Sequence, residues 1–272
     1  MTIAIVGAGN LGGAVAAGLV AAGAVAPADL RCATRSTEGA DRLRARPGLA
    51  DVTITTDAAA AVAGADVVMI GVKPYAVVDL LGALRPHLAP GVTIVSLAAG
   101  VGLDDLVAAA PDDAAVVRLM TNTPVQVRAA VSLVAAAPGV DADTLGRVVA
   151  LSDALGTTHV IDEARFDAAT ALAGSGPAYV FLLVELLRDA GVTLGLDADA
   201  ALAMATGVID GAARLLAASD GDPVALRRAV TSPGGMTAAA IGVFEDAGLR
   251  STVADALAAA VARAAELTAP PA

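Results

Sequence analysis

The chain has 272 residues, enough for one large domain or two ordinary ones with a core that needs no disulfide staple. Its net charge of −11 excludes the basic face that a nucleic-acid partner requires, and its single cysteine excludes an internal disulfide framework. A mean hydropathy of +0.73 raises the question of a membrane. Most of that value comes from Ala and Val, and the longest apolar run, 168–184, contains Gly174-Ser175-Gly176-Pro177, so the sequence predicts no membrane span. Met1 leads directly into TIAIVGAGN without a basic leader, and Cys32 reads as a buried strand thiol. Both point to a soluble, cytoplasmic protein with no membrane partner.

Up to about residue 160, short β-branched runs alternate with stretches of helical length. Strands are predicted at Ile3–Val6, Leu30–Thr34, Val52–Thr55, Val67–Val72, Thr93–Leu97, Ala115–Leu119, Val131–Ala135 and near His159–Ile161. Helical segments such as Leu11–Ala22 and Leu103–Ala109 lie between them. Continuous apolar strands in such an alternation predict a parallel sheet covered by helices on both faces, over residues 1–161.

From 162 to 272 the grammar changes to all-α, with helices predicted near 163–173, 177–191, 197–218, 223–231, 237–247 and 250–267. In the last of these, Val253, Leu257, Val261 and Leu267 recur at near-helical spacing, and the closing TAPPA reads as a frayed tail. Helices with so many small residues and few charges are expected to cover their surplus apolar face with a second copy of the chain.

The first strand runs into Gly7-Ala8-Gly9-Asn10-Leu11-Gly12, a G-x-G-x-x-G between a strand and a helix. Gly7 makes the tight turn, Gly9 lets the backbone approach a pyrophosphate, and Gly12 permits close helix–strand packing; the helix start supplies N–H donors. This is the pattern of a Rossmann-type dinucleotide site. The second strand ends in Thr34-Arg35-Ser36, with no carboxylate to hold a ribose 2′-OH, which favours NADP while still admitting NADH. The only lysine, Lys73, ends the fourth strand in Gly71-Val72-Lys73-Pro74, where an open α/β sheet faces its ligand. Leu97-Ala98-Ala99 is another small-residue strand end that a nicotinamide ring could approach. His87 and His159 read as structural or surface residues, and no metal-ligand spacing occurs.

In the helical half, Ser232-Pro233-Gly234-Gly235 breaks the pattern before Thr237. Two glycines at a helix start expose successive backbone N–H groups, a suitable anion site. Thr237 can cap the helix that follows or turn its hydroxyl to a ligand.

RLMTNTP (118–124), ALAGSGPAY (171–179) and SPGGMTAAAI (232–241), in order with GAGNLGGA, VKP, SLAAGV and the C-terminal FEDAGLRSTVADALAAAVARAAEL, resemble the pyrroline-5-carboxylate reductase family along the whole chain. The resemblance implies a Rossmann domain followed by an all-α dimerisation domain, and NADPH-dependent reduction of a cyclic imine to L-proline. It implies a homodimer through the helical half, with a decamer of five dimers among the larger rings. It assigns the substrate carboxylate to Ser232, Gly234 and Gly235, and the ring nitrogen to Thr237. Asn122 and Glu163 fall near the substrate, and NADP falls to residues 7–12, 34–36, 71–74, Ala98 and Ala99. Ala58, Ala173 and Met236 depart from the residues usual in the family. A hydroxyacid dehydrogenase of similar plan would place a lysine in its second domain, and this chain has none after Asp162.

Overall fold

The structure is a computed structural model and describes residues 1–268; the tail beyond Thr268 and the side chains of Ala265, Leu267 and Thr268 lie outside the described residues. Eight strands form one sheet in the order β3-β2-β1-β4-β5-β6-β7-β8. Along the chain, β1 (Ile3–Val6), α1 (Asn10–Ala21), β2 (Leu30–Ala33), α2 (Thr37–Arg44), β3 (Thr53–Thr55), α3 (Ala58–Val62), β4 (Val67–Ile70) and α4 (Val77–Leu84) come first. Then follow β5 (Thr93–Ser96), α5 (Leu103–Ala109), β6 (Ala115–Met120), β7 (Ala130–Ala136), α6 (Ala142–Asp153) and β8 (Gly156–Val160).

The strand order reverses between β2-β1 and β4, which puts the topological switch point at the end of β1. Strands β1 to β6 run parallel. Their apolar runs are buried on both sides: Ile3, Ile5 and Cys32 pack on one face with Leu19 of α1, and Ala4, Val68 and Ile94 on the other with Leu81 of α4. Burial pushes the Cys32 thiol up to about 12, so it stays protonated.

The sheet is not parallel throughout. β7 is antiparallel to β6, with Val117 opposite Ala136, and β8 is parallel to β7. The link 121–129 carries only a 3₁₀ turn at Thr123–Val127, too short for a crossover helix, so the chain turns back beside β6.

The helical half consists of α7 (Phe166–Ala169), α8 (Gly176–Thr193), α9 (Ala198–Ala217), α10 (Pro223–Ala229), α11 (Met236–Asp246) and α12 (Leu249–Thr268). Gly174-Ser175-Gly176-Pro177 does not break the first of these as expected. A π turn at Thr170–Gly174, closed by the Ser175 amide on the Thr170 carbonyl at 3.2 Å, carries the helical path into α8. Pro177 sits at the second position of α8, where its missing N–H is tolerated. Among the described residues two helical stretches, Glu163–Thr193 and Ala198–Ala217, are long and apolar enough to cross a membrane by length and composition, and 6% and 11% of the apolar 18-residue windows within them is buried.

By compactness the chain divides into two units. One comprises Met1–Ser175 with the last segment from Val261, and the other Gly176–Ala260.

Candidate active site

In the first unit the turn after β1 is built by close approach. Gly7 has φ +83°, and a Cβ there would stand 2.6 Å from Val72 Cγ1 and 2.7 Å from the Val72 amide nitrogen. The Gly7 and Ala8 amides both donate to the Ala33 carbonyl at 3.0 Å, which fixes the turn to the end of β2. A Cβ on Gly12 would meet the Gly7 carbonyl at 3.0 Å, so helix and turn touch as the glycine spacing requires. Gly9 is the N-cap of α1 and no side chain caps that helix. The first-turn amides, those of Asn10 and Leu11 among them, thus face outward with the positive end of the helix dipole. A Cβ on Gly9 would meet nothing closer than 3.9 Å, so open space lies over those amides. These features fit a dinucleotide diphosphate.

The corner beyond β2 holds Thr34, whose hydroxyl donates to the Ser36 carbonyl at 3.0 Å. Arg35 is exposed. Ser36 is the N-cap of α2 and accepts from the Gly39 amide at 3.2 Å. Residues 34–36 themselves carry no carboxylate, as expected, and one lies just beyond them. Glu38 lies in the first turn of α2, where its own backbone amide and then the Ser36 hydroxyl hold its carboxyl below the usual range. The signal for it was present: an acid two residues past a serine cap belongs to the first helical turn.

Gly71 follows β4, its amide donating to the Val6 carbonyl at 2.7 Å, and Val72 packs under Gly7. Lys73 precedes the 3₁₀ turn opened by Pro74, is exposed, and has no side-chain partner among the described residues. After β5, Ala98 is buried and Ala99 exposed, with Gly100 at φ +77°.

Asn122 and Glu163 occupy different settings from those 71–74 and 97–99 provide. The Asn122 amide is only 6% exposed; its Nδ2 donates to the Ala173 carbonyl at 3.0 Å, and its Oδ1 accepts from the Val131 amide at 3.1 Å. In a regular α-helix the Ala173 carbonyl would take the amide of residue 177, and Pro177 has none. Asn122 satisfies the carbonyl that this proline leaves open. Glu163 Oε1 accepts from the Leu103 amide at 3.1 Å and from Arg118 Nη1 at 2.5 Å. Arg118 is only 5% exposed, lies over the Phe166 ring at 4.1 Å, and approaches Asp167 at 3.9 Å. Sequence reasoning passed over Arg118 and Asp167. A lone charge inside the apolar strand AVVRLM was the available sign.

In the second unit, Gly234 has φ +70° and the Gly235 amide donates to the Ser232 carbonyl at 3.1 Å. Gly235 is the N-cap of α11, and no side chain caps that helix either. Thr237 therefore is not the cap. It is the second residue of the helix, exposed, and its hydroxyl has no partner among the described residues. The loop offers free amides at a helix start with a free hydroxyl one residue inside.

A sheet of this topology with a glycine cradle at its switch point, followed by an all-helical half, defines an NADP-linked oxidoreductase. Residues 2–100 match the family model described as NADP oxidoreductase, coenzyme F420-dependent, and residues 163–267 match pyrroline-5-carboxylate reductase dimerisation. The chain is 41% identical to pyrroline-5-carboxylate reductase of Pseudomonas aeruginosa, over 97% of its own length and 96% of the relative's. Against the same enzyme of Corynebacterium melassecola it is 38% identical, covering 98% of both chains. Its fold superposes on a Coxiella burnetii pyrroline-5-carboxylate reductase with TM-score 0.91 and 34% identity, covering 99% of each. A Plasmodium falciparum pyrroline carboxylate reductase solved with NADP bound superposes with TM-score 0.88 and 25% identity, covering 99% of this chain and 98% of that one. The chain belongs to the pyrroline-5-carboxylate reductase family.

Proposed function

We infer that this chain reduces L-1-pyrroline-5-carboxylate to L-proline with NADPH, the last step of proline biosynthesis. The observation that carries the reading is likeness to that family through both halves, joined to the uncapped glycine helix starts at Gly9 and Gly235. When bound, NADPH supplies the hydride that adds to the imine carbon. Gly7, Ala8, Gly9, Asn10, Leu11 and Gly12 hold its diphosphate; Thr34, Arg35 and Ser36 hold the 2′-phosphate. Gly71, Val72, Lys73, Pro74, Ala98 and Ala99 line the rest of its path.

The substrate needs little help beyond orientation. A protonated cyclic imine is already electrophilic, so the reaction requires no metal and no strong general acid. The Gly234 amide and the uncapped start of α11 at Gly235, with Ser232, take the carboxylate. The unpartnered Thr237 hydroxyl bonds the ring nitrogen, which carries the proton as the carbon accepts hydride.

The exposed apolar faces of α8 and α9 pack against a second copy of the chain to give a homodimer, and dimers gather into rings of up to five, a decamer. The protein works in the cytoplasm. NADPH consumption dependent on the cyclic imine tests the activity. Folded protein that binds NADPH and leaves it unoxidised in saturating imine would sink the reading. Light scattering gives the subunit number, and recovery of the protein in detergent-extracted membranes would replace the second copy with lipid.

A further inference from the structure

We infer that Glu163 is a positioning residue for the cofactor-facing turn after β5, acting through the Leu103 amide, and not a ligand of the substrate. The inference rests on the reading of Ala98 and Ala99 as cofactor residues. That turn is held at both ends, and between them the Ala98 amide donates to the Ser96 hydroxyl at 3.4 Å. At its start the Leu97 amide donates to the Ile70 carbonyl of β4 at 2.9 Å. At its end comes Gly102, the N-cap of α5, which has no side chain to cap the helix.

The missing cap is supplied from 60 residues away, by Glu163 Oε1 on the Leu103 amide at 3.1 Å. The carboxylate is itself held in place. Arg118 donates to the same oxygen, and Arg118 is buried on β6, opposite Ser96 at the end of β5. Phe166 and Asp167, on α7, hold the guanidinium from the other side. The turn carrying Ala98 and Ala99 is thus clamped between β4 and a carboxylate whose position the sheet fixes. Leu103 and Val101 are buried, so a release at the Leu103 amide is passed along the turn rather than absorbed by solvent. Its Oε1 already accepts a charge-assisted and a backbone hydrogen bond, and its Oε2 is buried without a partner among the described residues rather than presented to solvent.

The test is a titration of the full-length protein with NADPH alone, read by nucleotide fluorescence, alongside steady-state kinetics. E163A removes the cap and is expected to weaken NADPH about fivefold, the effect of a lost helix cap passed on to the turn. E163Q keeps an oxygen that accepts from Leu103 and stays within about twofold. The decisive variant is E163A with G102S. A serine at Gly102 has room, because its Cβ would meet only Glu163 Oε1, at 3.9 Å, and the extended backbone there (φ −72°, ψ 160°) suits an N-cap. A local cap, accepting from the Asp104 or Asp105 amide, then restrains the same helix start in place of the distant carboxylate, and NADPH affinity is expected to return. KM for the imine at saturating NADPH is expected to stay unchanged in all three. Unchanged NADPH affinity in E163A and E163Q with a raised KM for the imine would overturn the inference in favour of a substrate ligand. Unchanged NADPH affinity with only a lowered melting temperature would overturn it in favour of a purely structural carboxylate. NADPH that fails to bind the unaltered protein would instead refute the proposed function.

Discussion

Replacing Thr237 by alanine separates catalysis from folding at one atom. Gly235 occupies the cap position, and the Thr237 hydroxyl is exposed and without a partner among the described residues, so its removal breaks no bond within the fold. Alanine is the better helix former by about 0.5 kcal/mol, so unfolding free energy should hold or rise by that amount. Turnover should fall about a hundredfold, the usual effect of deleting one preorganised hydrogen bond at a reacting centre. KM for the imine should change little, because the carboxylate is held by backbone amides. T237S keeps the hydroxyl and should retain most of the rate. Urea unfolding and initial rates of NADPH oxidation on the same preparations give both quantities. A T237A variant with wild-type kcat would refute the assignment, and so would a stability loss above about 1 kcal/mol, the size of a lost cap.

Glu38 shares the Ser36 hydroxyl at the corner proposed for the 2′-phosphate. E38Q should strengthen NADPH binding about two- to fivefold at low salt and leave NADH unchanged, the difference fading as salt rises. Arg128 is exposed at φ 54°, a left-handed conformation that costs a side chain about 1–2 kcal/mol, so R128G should raise stability by about 0.5–1 kcal/mol in urea titration. Asp141 caps α6: it accepts from the Thr144 amide and hydroxyl, both at 2.8 Å, and these bonds lower its pKa. A lowered folded-state pKa means its contribution is full above the ordinary aspartate range and disappears as pH falls through the folded value. D141N should therefore melt below wild type at neutral pH and match it in strong acid, as scanning calorimetry across pH would show.

Local features were legible where the chemistry is local. The apolar run Ile3–Val6 followed by Gly7 announces a strand and a tight glycine turn because both depend on neighbours in sequence. The direction of β7 was not legible, since an apolar run such as Ala130–Ala136 reads the same either way; only the short link before it decides. Gly174-Ser175-Gly176-Pro177 looked like a break because proline lacks an amide. The path continues because Asn122, 51 residues earlier, takes the orphaned carbonyl. Glu163 was singled out, but its partners were not legible for the same reason: Leu103 and Arg118 lie on separate elements that meet only in the fold. At Thr237 the sequence left cap and ligand roles open, and the helix start at Met236 removes the first.

The faces of α8 and α9 carry Phe181, Leu182, Leu186, Met204 and Val208 in the open, each more than half exposed in the single chain. In an oligomer their burial belongs to association as much as to folding. By mass action the melting temperature then has no single value; it climbs with protein concentration, and refolding acquires a bimolecular step that slows on dilution. Dilution alone would then act on this protein as a mild denaturant.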